Sequence, residues 1–80
     1  MPRFLRPAEI GGVNMKIQLN GELRDTGLAT SVLELLQSLD LPLVTLLVEH
    51  NGLALRRDEW SQYLLQEGDR LEVIRIVAGG

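Results

Sequence analysis

The chain has 80 residues, a formal net charge of −3 and no cysteine. Its length predicts one domain with a small core, and the lack of cysteine excludes disulfides, thiolate metal sites and cysteine nucleophiles, as expected for a protein of the reducing cytoplasm. Nucleic-acid and membrane partners are disfavoured, because the chain has no long basic run and no apolar stretch near the ~20 residues that span a bilayer.

Residues 1–14 are predicted to be a flexible N-terminal extension that comes before the fold. The segment has prolines at positions 2 and 7 and a Gly11-Gly12 pair, and it lacks the continuous apolar core of a secretory signal. An upstream start site would account for this extension. The alternative interpretation is an arm that binds a partner.

The first two predicted strands form a hairpin. Residues 15–19 alternate apolar and polar side chains, which is the period of a strand with one buried face. Asn20-Gly21 tolerates the positive φ angles of a type I′ turn, so residues 22–26 are expected to return as an antiparallel strand. The weaker apolar pattern of this second strand places it near an edge of the sheet.

A short amphipathic helix follows the hairpin. Ser31 and Glu34 have the spacing of a capping box, in which the serine hydroxyl accepts the N–H of Glu34 and the glutamate reaches back to the N–H of Ser31. The apolar stripe of the helix has the spacing i, i+3, i+4 and i+7 and consists of Val32, Leu35, Leu36 and Leu39. Pro42 prevents any continuation, and a helix this short must pack on a sheet to persist.

Three more strands are predicted in the second half of the chain. Residues 45–50 are apolar enough to lie mostly buried, Asn51-Gly52 is a second hairpin signal, and residues 53–56 return as a fourth strand. Residues 70–77 form the last strand. These elements predict an α+β domain over residues 15–77, with one main helix packed on one face of a four- to five-stranded sheet. The pairing order of the strands does not follow from the sequence.

A helical turn is expected between the fourth and last strands. It covers residues 58–61, with Asp58 as its N-cap. Trp60 and Tyr63 are predicted to pack under a loop, and the alternative for them is an exposed partner interface. Residues 63–65 fit either a strand or irregular structure.

No catalytic or metal site is predicted from the side chains. His50 is the single histidine, and it is interpreted as a surface residue at a strand end, with Glu49 pointing to the opposite face. Ser31 is explained as a helix cap, and one histidine without cysteine does not make a metal site. Because no nucleophile, base and orienting group come together, the chain is not expected to be an enzyme or to bind a cofactor.

The sequence ends in Ala78-Gly79-Gly80, directly after an apolar strand pattern. Residues 78–80 are therefore predicted to be a flexible tail that presents the carboxylate of Gly80, although a frayed terminus is the alternative. This carboxylate becomes an acyl donor once ATP adenylates it, and a sulfur nucleophile then converts it to a thiocarboxylate. Gly79, and with it Ala78, would thread into an enclosed active site, because large side chains there would widen the tail.

These features together resemble the ThiS family, the sulfur carriers of thiamin thiazole biosynthesis, which have the ubiquitin-like β-grasp fold. The resemblance covers residues 15–80. It depends on the order and spacing of short motifs, which are Asn20-Gly21, the run from Ser31 to Leu36, Val48 followed by Asn51, Arg57-Asp58-Glu59-Trp60, Glu67-Gly68-Asp69, and Ile76-Val77-Ala78-Gly79-Gly80.

The resemblance implies a mixed sheet with the first and last strands parallel at its centre. It implies that an ATP-dependent activating enzyme similar to ThiF adenylates Gly80, so that ATP is used by this partner. It also implies that a cysteine desulfurase relay supplies the sulfur and that a thiazole synthase similar to ThiG receives it. The chain departs from such carriers in having residues 1–14.

Several alternatives stay open from the sequence. The small subunit of molybdopterin synthase shares the fold and the glycine pair, but such carriers commonly have aromatics and prolines just before the tail, where this chain has residues 74–77. A ubiquitin-like modifier and an interaction module without tail chemistry are the other two. The docking surface is also open, since Leu47, Leu53 and Leu55 fit either an exposed docking surface or the core.

Overall fold

The computed structural model describes residues 14–76, whose core lies between one helix and one face of a five-stranded sheet. Residues 1–13 and 77–80 lie outside the described residues, and they include all but Asn14 of the predicted extension (residues 1–14) and the whole predicted tail (residues 78–80). The elements in chain order are β1 (Lys16–Leu19), β2 (Glu22–Asp25), α1 (Val32–Ser38), a 3-10 helix (Leu43–Thr45), β3 (Leu46–His50), β4 (Leu53–Leu55), a second 3-10 helix (Arg57–Glu59) and β5 (Arg70–Arg75).

The sheet is mixed, with the strand order β2-β1-β5-β3-β4. β1 and β5 run parallel, with Leu19 paired to Leu71, and the other neighbouring strands are antiparallel. The implied parallel pairing of the first and last strands is confirmed, and so is the edge position of β2. Parallel neighbours need a long crossover connection, and α1 lies within the connection between β1 and β5.

Both hairpins have the predicted turns. The φ angles are 52° and 83° at Asn20 and Gly21, and 51° and 85° at Asn51 and Gly52. Positive φ at both central residues defines a type I′ turn, whose twist matches that of the flanking strands. The sequence therefore predicts these turns correctly from two dipeptides.

The predicted cap of α1 is confirmed at Ser31, whose Oγ accepts the N–H of Glu34 at 3.2 Å. The Glu34 carboxylate bonds mainly to Thr30, accepting its hydroxyl and its N–H at 2.6 Å each. The Thr30 hydroxyl is the larger cause that holds the pKa of Glu34 below its usual value. The helix ends at Ser38, and Asp40 has a φ of 59°, so it stops before Pro42.

The core combines the apolar stripe of α1 with the inward side chains of the central strands. Full burial of such an aliphatic side chain contributes about 1.5–3 kcal/mol. Trp60 is also almost fully buried, which confirms that it packs inside. The most deeply buried side chains are Trp60, Ile17, Leu35, Leu36, Leu71 and Val32. No helix among the described residues is long and apolar enough to cross a membrane.

The prediction that Asp58 is an N-cap is wrong. The helical turn is a 3-10 helix that begins at Arg57, so the cap position falls on Arg56. Asp58 lies inside the turn and pairs with the guanidinium of Arg56 at 3.3 Å. The carboxylate of Glu59 instead accepts the N–H of Arg56 at 2.8 Å. Aspartate is a preferred cap residue, but the helix begins one residue before Asp58, so this preference did not decide the boundary.

Candidate functional site

The central strand β5 leads directly toward the C-terminal tail. The strand ends at Arg75, and the N–H of Ile76 donates to the carbonyl of Thr45 at 2.6 Å, so its pairing continues one residue further. The predicted site residues Ala78, Gly79 and Gly80 lie outside the described residues, and their role stays a prediction. The described part of the site is the base from which the tail leaves.

The side chain of Asn20 forms hydrogen bonds that join β5 to the first hairpin. Its Oδ1 accepts the N–H of Val73 at 2.7 Å, and its Nδ2 donates to the carbonyl of Val73 at 3.1 Å. Its own N–H donates to the carbonyl of Leu71 at 2.8 Å. The asparagine therefore extends the pairing between β1 and β5 beyond the end of β1. The Asn20-Gly21 dipeptide predicts only the turn, and it does not predict this contact with β5.

Asn51 fastens β5 from the other side. Its N–H donates to the carbonyl of Arg70 at 2.8 Å, and its Oδ1 accepts the N–H of the same residue at 2.8 Å. Its Nδ2 donates to Asp69 at 3.1 Å. Two equivalent turns thus hold β5 from β1 and from β3. The signal in the sequence was asparagine at the same position of both turns, which offers an amide as well as tolerance of positive φ.

We expect Asn20→Gly to lower the free energy of unfolding by about 1–2 kcal/mol, because it removes two side-chain hydrogen bonds. Glycine keeps the positive φ of the turn, so backbone strain does not contribute to the loss. Denaturant titration measures the change. Asn14→Gly is the control, since Asn14 also has a positive φ of 59° but makes no side-chain hydrogen bond within residues 14–76. Equal losses in the two variants would contradict the role of Asn20.

The interpretation of His50 as a surface residue is wrong. Its side chain is only 14% exposed, and its Nε2 lies 2.8 Å from Oδ2 of Asp69, which is 7% exposed. The edge of Tyr63 packs against the imidazole, with ring centroids 5.5 Å apart. Glu49 is exposed and points to the opposite face, as predicted. The error arises because Asp69 reaches His50 from a turn distant in the sequence.

Asp69 connects the end of β3 and its turn to the turn that enters β5. Besides His50, its carboxylate accepts the Nδ2 of Asn51 and, at 2.8 Å, the N–H of Gln66. A buried carboxylate is stable in the fold only when such donors surround it. Within residues 14–76 there is no group of three or more histidine and acidic side chains that could hold a metal ion. The geometry therefore gives this cluster a structural role, which is to fix the turn that enters β5.

An exposed apolar patch lies beside the base of the tail, on the sheet face opposite α1. It consists of Leu47, Ile74 and Ile76, each about half exposed, and we call it the tail-side patch. Leu47 and Ile74 are direct register partners on β3 and β5. The sequence did not decide whether Leu53 and Leu55 are exposed or buried. Leu53 is exposed at the edge strand β4, and Leu55 belongs to the core.

Comparison with known proteins identifies the family. The ThiS family model matches residues 17–80, which is most of the chain and includes the glycine pair at its end. The chain belongs to the ThiS family. The mixed sheet and the single main helix described above agree with the solved structure of a ThiS protein. The predicted α+β, ubiquitin-like β-grasp fold is therefore confirmed.

Individual relatives agree with the family assignment. The sulfur carrier protein ThiS of Escherichia coli strain K12 is 29% identical over 66 residues, covering 82% of this chain and 100% of that protein. The crystal structure of the thiamine biosynthesis protein ThiS from Geobacter metallireducens is 30% identical, with a TM-score of 0.69 and coverage of 82% and 100%. A thiazole synthase from Magnetococcus marinus is 35% identical over 66 residues, but this chain spans only 20% of its length. The predicted identity as a ThiS-type sulfur carrier of thiamin biosynthesis is confirmed.

Proposed function

We propose that this ThiS-family chain carries sulfur for thiazole formation on the carboxylate of Gly80. An activating enzyme similar to ThiF would bind ATP, and the carboxylate would attack its α-phosphate and release pyrophosphate. The outer sulfur of a persulfide would then displace AMP and form an acyl disulfide, and a thiol reductant would cleave its S–S bond to leave the thiocarboxylate. The chain itself would be a substrate of these steps and not an enzyme, without a cofactor of its own. The observation that carries the proposal is the family match through the terminal Gly79-Gly80.

The geometry of β5 supports this role. A reactive group on a tail is delivered reproducibly only when the base of the tail is fixed. Here the central strand pairs on both sides, Asn20 and Asn51 add side-chain bonds to it, and Ile76 is bonded to Thr45. Residues 77–80 would reach about 13 Å when extended, enough to enter an enclosed partner site.

The partners follow from the chemistry and from one relative. A fifth of the Magnetococcus marinus thiazole synthase is similar to this chain, so a carrier-like segment and a thiazole synthase share one polypeptide there. This supports a thiazole synthase similar to ThiG as the sulfur acceptor, in preference to a molybdopterin-synthase role. The chain has no cysteine, so the sulfur must come from outside, and a cysteine desulfurase relay would provide it. Such a pathway suits the reducing cytoplasm.

Mass spectrometry of the intact chain tests the proposal. The chain is incubated with ATP, an activating enzyme similar to ThiF, a cysteine desulfurase with cysteine, and a thiol reductant. The expected product is heavier by the difference between one sulfur and one oxygen atom, and fragmentation places this change on Gly80. Omitting ATP should leave the mass unchanged. An unmodified chain, beside a positive-control carrier that the same enzymes convert, would overturn the proposal.

The tail-side patch is the surface on which we expect the activating enzyme to dock. We expect Ile74→Glu to raise the KM for the carrier in pyrophosphate exchange about tenfold or more, because a charge would enter an apolar contact next to the threaded tail. Stability should change little, since Ile74 is 56% exposed. Leu28→Glu is the matched control, because Leu28 is 81% exposed in the loop after β2. A similar rise in both variants would contradict docking at this patch.

A further inference from the structure

The strand β2 has a hydrogen-bonding edge with no neighbouring strand among residues 14–76. All four residues of β2 are exposed, and β1 is its only partner in the described sheet. Glu22 pairs with Leu19 across the two-residue turn, and the N–H of Thr26 donates to the carbonyl of Met15. Backbone groups alternate in direction along an antiparallel strand, so those of Leu23 point away from β1.

We propose that two copies of this chain associate through β2 as an antiparallel pair, with a two-fold axis at Leu23. In this register the two Leu23 residues exchange two backbone hydrogen bonds. Their side chains, each 73% exposed, meet on the sheet face opposite α1. Glu22 of each copy lies opposite Arg24 of the other copy, which makes two pairs of opposite charge. The two sheets then continue as one.

The charges on β2 select this register. Cross-strand pairs of opposite charge stabilise an antiparallel pair, and like charges placed directly opposite destabilise it. An axis at Glu22, Arg24 or Asp25 would place that residue opposite its own copy, which is a like-charge pair in each case. An axis at Leu23 places an apolar residue there instead. Among the antiparallel registers centred on a residue of β2, only the one centred on Leu23 meets both conditions. Its central backbone groups point toward the second copy, and its flanking side chains form pairs of opposite charge.

The other edge of the sheet, β4, is less suited to pairing with a second copy. β4 has three residues, and the N–H of Arg56, which follows it, already donates to the carboxylate of Glu59.

Pairing through β2 is compatible with the proposed carrier function. β2 is two strands away from β5 in the sheet order, so the tail-side patch of each copy would remain accessible. The association therefore does not depend on the tail chemistry.

Analytical ultracentrifugation of the full chain tests the proposal. We expect a concentration-dependent dimer between about 10 µM and 1 mM at low salt. Glu22→Arg alone, and Arg24→Glu alone, should each raise the dissociation constant at least about tenfold, because both cross-strand pairs become like-charged. An equimolar mixture of the two variants should form a heterodimer about as strong as the wild-type dimer, since every cross-strand pair is again of opposite charge.

A purely structural effect of these substitutions would not restore association on mixing, so the mixture separates an interface from misfolding. Circular dichroism checks that both variants fold, as expected for exposed positions. A wild-type chain that stays monomeric throughout the concentration range would overturn the proposal. So would single variants that dimerise like the wild type, or a mixture that associates no more strongly than its components. None of these outcomes bears on thiocarboxylate formation, which is measured separately by mass.

Discussion

Deleting Gly80, or adding one alanine after it, should abolish adenylation of the chain while leaving the domain folded. Either change moves the terminal carboxylate by about 3.5 Å along an extended tail. The base of the tail cannot slide to compensate, because Ile76 is bonded to Thr45 and β5 pairs on both sides. A misplacement of even 1 Å lowers the rate of a positioned reaction about 100-fold, so the loss in ATP–pyrophosphate exchange should be at least that large.

The control for this prediction is Ala78→Gly, which keeps the length of the tail and should support nearly normal exchange. The unfolding midpoints of all three variants should match that of the wild type, because Ala78 and Gly80 come after the last core residue of β5, Leu71. Normal exchange by both length variants would show that the carboxylate of Gly80 is not the adenylated group.

Asp69→Ala should lower the free energy of unfolding by about 3 kcal/mol, the largest stability loss that we predict for a polar substitution. The change leaves the imidazole of His50, the amide of Asn51 and the N–H of Gln66 without their acceptor in a mostly buried place. For a domain of this size, such a loss corresponds to a fall of roughly 15 °C in the melting temperature. Calorimetry or thermal circular dichroism measures it.

Asp58→Ala is the matched control for the removal of a carboxylate. The Asp58 side chain is 75% exposed, and among residues 14–76 it pairs only with the similarly exposed Arg56, so Asp58→Ala should lower the free energy of unfolding by less than about 0.5 kcal/mol. Asp69→Asn keeps one acceptor oxygen, so its loss in the free energy of unfolding should lie between those of Asp69→Ala and Asp58→Ala. If Asp69→Ala destabilised the domain no more than Asp58→Ala, the buried cluster would not hold the turn that enters β5.

Features that depend on near neighbours in the chain were predicted well. The two type I′ turns need only a dipeptide that tolerates positive φ, and the cap at Ser31 needs only a hydroxyl three residues before an N–H. Val32, Leu35 and Leu36 of the predicted apolar stripe are buried as their period indicates, and Leu39, which follows α1, is partly buried. The family resemblance also came from local motifs in a fixed order, and the family match over residues 17–80 confirms it.

Features that depend on distant contacts were missed or left open. The environment of His50 depends on Asp69, 19 residues away, and the second role of Asn20 depends on Val73, 53 residues away. The exposed or buried state of Leu47, Leu53 and Leu55 became clear only once their strands had neighbours. The cap at Arg56 shows a different limit, because the local preference for aspartate at a cap did not decide where this short helix begins.

The sequence by itself determined the five strands, the main helix, the two hairpin turns and the family, because short-range backbone preferences and side-chain periodicity specify them. Only the tertiary structure decided the order of the strands and the tail-side patch. It also decided the hydrogen bonds of Asn20 and Asn51 to β5 and the buried partner of His50. The physical reason is that hydrogen bonds and burial between distant segments depend on which strands become neighbours, and no local pattern in the chain records that choice.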